Sequence, residues 1–155
     1  MLSRELDRLL IGLAKVETGL SKVYEKLSEK EHFREQVQRF WFELKNEELM
    51  HARVLNKIRE KAISDDSFEV DIAVKEAQLR AFVDRARELI KTVGKDVSES
   101  EAYKLCAEIE GELDEASFLD GIRTNDETMT KRLEAVKSDT KKHRMVLINH
   151  ARGIK

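Results

Sequence analysis

Leu2, Leu6, Leu9, Leu13, Val16, Leu20, Val23 and Leu27 recur at alternating intervals of three and four residues. That spacing lines one face of an α-helix and predicts a first helix over 2–27. After the polar run Ser28 to His32, the stripe resumes with Phe33, Val37, Phe40, Trp41, Leu44, Leu55, Ile58 and Ala62, predicting a second helix over 31–63. Ser28 and Glu31 have capping-box spacing ahead of it. "SDDSFE", Ser64 to Glu69, reads as a turn-rich break.

A third stripe, Ile72, Leu79, Phe82, Val83, Ala86, Leu89, Ile90 and Val93, predicts a helix over 71–93 that ends near Gly94. Such a helix would span roughly 34 Å at 1.5 Å per residue, enough to traverse a bundle end to end. Ser98 opens a fourth helix, over 98–123, with Ala102, Leu105, Ile109, Ala116 and Leu119 on its apolar face. After the "RTND" turn, the last helix covers 127–151 with Met129, Leu133, Val136, Leu147 and Ala151. The expectation is a single all-α domain over 1–155, two helical hairpins joined by a long helical crossover between the second and third core helices.

The stripes are broken by polar residues in inward positions. Glu17 falls among Leu10, Leu13, Ala14, Leu20 and Tyr24, and Glu48 among Trp41, Leu44, Ala52 and Leu55 with His51 one turn on. Glu112 interrupts the fourth stripe, Glu115 lies one turn beyond it, and Thr140 and His143 interrupt the fifth. An unpartnered buried carboxylate costs several kcal/mol, so one in each core helix calls for compensation. One or two divalent ions would supply it, and oxygen and nitrogen donors without thiolate favour iron or manganese, with zinc next.

Composition narrows the alternatives. Proline is absent, glycine numbers 6 and charged residues make up 39% of the chain, a mixture dominated by helix formers. Lys and Arg number 29 against 31 Asp and Glu, with both signs interspersed, so no basic patch points to nucleic acid or a membrane surface. No stretch has the length and hydropathy of a membrane span, and "MLSRELDRLL" lacks a signal core. Cys106 is the only cysteine, which excludes an internal disulfide or a four-cysteine metal motif and fits a reducing, cytoplasmic setting. There is no GxSxG, phosphate loop or dinucleotide fingerprint.

The helix order and the inward residues resemble the ferritin-like carboxylate proteins, and among them the rubrerythrin-like group. That family carries a glutamate from each of two helices and Glu-x-x-His from each of the other two. Glu17 matches the first glutamate, with Tyr24 as the accompanying aromatic. "ELMH", Glu48 to His51, matches the first Glu-x-x-His, and "ELDEASFL", Glu112 to Leu119, matches the second glutamate, with Phe118 the nearby aromatic and Leu119 where a tyrosine is usual. Glu115 sits where rubrerythrins carry an additional glutamate. "TKKHRMVL", Thr140 to Leu147, parallels "ELMHARVL", Glu48 to Leu55, with threonine replacing the glutamate.

The resemblance implies a ferritin-like four-helix bundle with Glu17, Glu48, His51, Glu112, His143, Glu115 and, as a substitute, Asp139 around one or two iron ions. Manganese and zinc are the alternative metals. Tyr24 would hydrogen-bond a ligating carboxylate. His143 has a second reading, paired with Asp139 one turn earlier. The implied activity is an oxygen- or peroxide-dependent oxidoreductase that draws on a separate electron donor, with self-association into a homo-oligomer compatible. Two alternatives remain: a metal-free bundle serving as a scaffold, and iron storage or transfer without turnover.

Overall fold

The computed structural model describes residues 3–70, 76–93, 96–113 and 118–153. The protein is all-helical, with α1 Arg4–Ser28, α2 Glu35–Ser64, α3 Glu76–Lys91, α4 Glu99–Glu112 and α5 Glu127–Ala151. α1 starts where the Ser3 hydroxyl accepts the Leu6 N–H at 3.1 Å, and Glu5 and Asp7 place negative charge at the positive end of the helix. Its three-four apolar stripe is buried from Leu6 to Leu27, and Leu2 lies outside the described residues.

α2 begins later than the capping-box spacing suggests. Ser28 closes α1 and donates its hydroxyl to the Glu25 carbonyl. The orphan N–H of Arg34, before the first turn of α2, is taken instead by Glu99 Oε2 at 2.6 Å, while the Arg34 guanidinium reaches Glu99 Oε1 at 2.9 Å. A long-range carboxylate thus does the work of a local cap.

Pairings at both ends show that α1 and α2 are antiparallel: Tyr24 stacks on Trp41 near the connecting turn, and Asp7 pairs with Arg59 at the far end. α4 and α5 form the second hairpin. Ser98 caps α4 by accepting the Glu101 N–H, as the sequence suggests, and Asp126 caps α5 by accepting the Met129 N–H. α5 lies antiparallel to α2, with His150 near Phe40 at one end and His143 beside Glu48 further along.

α3 is shorter than expected, 16 residues or about 24 Å; the predicted start over 71–75 and Gly94 lie outside the described residues. It packs on α1, and two glycines permit the approach. A Cβ on Gly12 would come within 3.3 Å of Val83, and one on Gly19 within 2.7 Å of Ile90. Between α2 and α3, a two-residue strand β1, Glu69–Val70, pairs antiparallel with β2, Ile122–Arg123, in the register Glu69 to Arg123 and Val70 to Ile122. This clip, reinforced by Ser67 and Thr124 hydroxyls 3.1 Å apart, ties the end of the first hairpin to the α4–α5 junction. It is absent from the sequence reading, since two residues are too few to show a period. Among the described residues no helix is long and apolar enough to cross a membrane.

The largest departure is in α4. The helix ends at Glu112 instead of running on to 123, and residues 118–119 are again helical. Its buried face is Ala102, Tyr103, Cys106, Ile109 and Glu110, followed by Leu113. Tyr103 and Cys106 pull the helix round, because a thiol behaves as a small hydrophobe and is among the most buried of side chains. Leu105 is only partly buried in consequence.

Candidate metal centre

The polar residues that interrupt the stripes of α1, α2 and α5 converge where these three helices meet. Glu17, Glu48, His51 and His143 are all buried. One donor atom from each of Glu48, His51 and His143 lies within 4.8 Å of the others, a group that could hold a metal ion. Three donors spread around one ion at about 2.0–2.2 Å stand roughly 3–4 Å apart, so the group closes on an ion with side-chain movements of up to about 1 Å. The donor chemistry fits a divalent transition metal.

Each imidazole uses its two nitrogens differently. His143 Nδ1 lies 2.9 Å from Glu48 Oε1, while its Nε2 meets Glu47 Oε2. His51 Nδ1 is 3.6 Å from both Glu17 Oε2 and Glu48 Oε2, and its Nε2 is 3.2 Å from Asp139 Oδ2. His51 Nδ1 is buried and makes no hydrogen bond. The rings stack with centroids 5.4 Å apart. Both Nδ1 atoms therefore face the interior carboxylates, and both Nε2 atoms face carboxylates at the α2–α5 surface.

This arrangement explains the internal echo. Glu47, Glu48 and His51 on α2 correspond in spacing to Asp139, Thr140 and His143 on α5. The antiparallel packing crosses the outer pairs, so that Asp139 of α5 serves the histidine of α2 and Glu47 of α2 serves the histidine of α5. Asp139 does not pair with His143 one turn away. The symmetry breaks at Thr140, whose hydroxyl donates to its own helix at the Val136 carbonyl, 2.9 Å away. Glu48 alone therefore stands between the two imidazoles from these two helices.

α4 contributes a different carboxylate from the one expected. Glu112 does not join the group: its side chain is 43% exposed and pairs with Arg85 of α3 at 2.8 Å. Glu110, two residues earlier and about 200° round the helix, is buried and accepts a 2.6 Å hydrogen bond from the Tyr24 hydroxyl. Tyr24 thus binds a carboxylate, as the sequence suggests, but that of Glu110. The missed signal was Tyr103–Cys106, which sets the helix face. Glu115 lies outside the described residues.

The electrostatics follow from the geometry. Burial opposes ionisation of Glu48, but polar contacts from Glu17, His143 and His51 outweigh it and hold its carboxyl well below the usual range. For His143, burial disfavours the imidazolium, while the hydrogen bond and charge of Glu48, with Glu110 and Glu47 adding charge, push the pKa up to about 9. His51 is raised for similar reasons: burial is overcome by Glu48 and Asp139. Beside His143 a surface cleft of about 350 Å³, lined in part by Glu43, Glu47, Asp139 and Lys142, leads to solvent.

Compared with protein-family models, curated proteins and solved structures, the chain shows no match in any of the three. The functional reading therefore rests on the site itself.

Proposed function

We propose that this chain is a ferritin-like metal protein of the rubrerythrin type, binding iron at Glu48, His51 and His143 and acting as an oxygen- or peroxide-dependent oxidoreductase. The observation that carries the reading is the reciprocal arrangement of the two histidines: each aims Nδ1 at the buried carboxylates and gives Nε2 to an outer carboxylate. Metal-ligating histidines characteristically use their second nitrogen in this way, which fixes the ring and raises its basicity.

In this reading Glu48, His51 and His143 form a two-histidine, one-carboxylate set, a combination associated with non-haem ferrous iron. Glu17 is the next carboxylate, close to the inner nitrogen of His51. Iron, when bound, supplies one-electron chemistry and open coordination positions for an oxidant. The chain's own residues do the rest. Glu47 and Asp139 accept hydrogen bonds from the outer N–H groups and so orient the imidazoles. Trp41, Leu44 and Leu55 keep water from the interior side. With Thr140 turned to its own backbone, one ion binds more firmly than a second.

Metal analysis after anaerobic purification tests this. Iron retained, or taken up on addition in a fixed ratio to the chain, is expected. Near-zero iron, manganese and zinc with no uptake would refute it. Thr140 favours a second reading, a metal-free scaffold. In that case Glu48→Ala with His51→Ala leaves stability unchanged or raised, with or without added iron.

A further inference from the structure

The chain has one tryptophan and two tyrosines, and all three lie in a single stack. Tyr24 stacks on Trp41 with centroids 5.4 Å apart and planes at 27°, and Trp41 on Tyr103 at 5.2 Å and 26°. Tyr103 then stacks on His150 at 4.7 Å and 14°. The inner end is tied to the candidate metal centre through the Tyr24 hydroxyl on Glu110, a carboxylate whose charge acts on His143. The outer end, Tyr103 and His150, forms part of the wall of a cleft of about 440 Å³ with Arg34, Arg39 and Phe40. Packing alone needs no tryptophan or tyrosine in these positions, and a buried indole or phenol normally has a hydrogen-bond partner. Trp41 does not: its Nε1 is buried with no acceptor.

The geometry points to a charge-hopping path, Tyr24–Trp41–Tyr103, that carries single electrons between the buried Tyr24–Glu110 pair and the cleft. Two contrasts give the stack its properties. Oxidised Trp41 has no base to receive its N–H proton, so it remains a radical cation and passes the oxidising equivalent on. Oxidised Tyr24 has a carboxylate 2.6 Å away: one electron leaves the phenol, the O–H bond breaks, the proton passes to Glu110 Oε1, and a neutral tyrosyl radical is left. The return electron comes from a small one-electron reductant of the enediol or hydroquinone class, itself oxidised by one electron at the cleft, and the proton goes back from Glu110 to the Tyr24 oxygen. The oxidant at the inner end is an oxidised transition-metal ion, and in this respect alone the inference rests on the proposed function.

The path is tested without metal, so that its failure and that of the metal reading are distinguishable. Metal-free full-length protein is illuminated with a ruthenium polypyridyl sensitiser and a sacrificial electron acceptor, frozen, and read by electron paramagnetic resonance. A tyrosyl signal that disappears in Tyr24→Phe is expected in the wild type. Tyr103→Phe, which removes the outer step, should lose that signal. Glu110→Gln, which keeps the stack and removes the proton acceptor, should leave the radical on Tyr103 or Trp41, and Trp41→Phe, where circular dichroism shows it folded, should leave it on Tyr103. A Tyr24 radical undiminished by Tyr103→Phe and Glu110→Gln, or none in the wild type, overturns the path.

Discussion

The outer nitrogen of His51 lies 3.2 Å from Asp139 Oδ2, so the carboxylate that sequence spacing offers as a substitute ligand serves the histidine of the other helix. On the metal reading Asp139 and Glu47 are positioning residues. Asp139→Ala and Glu47→Ala should each weaken iron binding by about 10–100-fold while leaving its stoichiometry unchanged. Anaerobic titration with ferrous ion checks this, and an effect no larger than that of Glu43→Ala would count against the assignment.

Glu110 and Glu112 separate the observed register of α4 from the one its sequence suggests. Glu112→Gln removes a half-exposed pair with Arg85 and should change stability by less than about 1 kcal/mol, with no effect on metal binding. Glu110→Gln weakens the acceptor of the buried Tyr24 hydroxyl and should cost about 1–3 kcal/mol. Chemical denaturation of the two variants is the comparison.

The metal-free protein should show a bounded pH range of stability. His143 has a folded pKa of about 9 against an ordinary 6.5, so its contribution is complete below 6.5 and is lost as pH rises through about 9. The raised His51 adds to the same alkaline loss. Glu48, held low, contributes above its ordinary 4.5, and that contribution fades as pH falls from there. Unfolding midpoints should therefore peak between these limits, and His143→Gln should flatten the alkaline limb. Iron must displace the imidazole protons, so its affinity should climb as pH rises towards 9.

Thr140→Glu would place a second carboxylate opposite Glu48. Without metal it should lower the melting temperature, because an added buried charge lacks a partner. With ferrous ion present it should bind more iron per chain than the wild type. Equal iron in both proteins would show that Thr140 is not what limits the site.

Much of this was legible in the residues. The three-four stripes set α1, α2 and α5 to within a few residues, and the inward Glu17, Glu48, His51 and His143 are buried together because the same periodicity that finds a core face also finds what interrupts it. α4 was less legible. Its stripe admits two faces, and the choice between Leu105 and Cys106 depends on what α1 and α5 present to it. The cap on Arg34 from Glu99 and the β1–β2 clip are contacts between distant segments with no local period. The crossing of Asp139 to His51 and Glu47 to His143 follows from antiparallel packing of α2 and α5, which spacing along one helix cannot reveal.

The central claim, that Glu48, His51 and His143 bind a metal ion, is tested most directly by the thermal unfolding of the anaerobic protein with and without ferrous ion. At about a hundred times the dissociation constant, binding to the folded state alone adds about 2.7 kcal/mol. For a chain of this size that is a rise of roughly 5–10 °C. The rise should be absent in Glu48→Ala combined with His51→Ala. No rise in the wild type, or an equal rise in the double variant, would contradict the account.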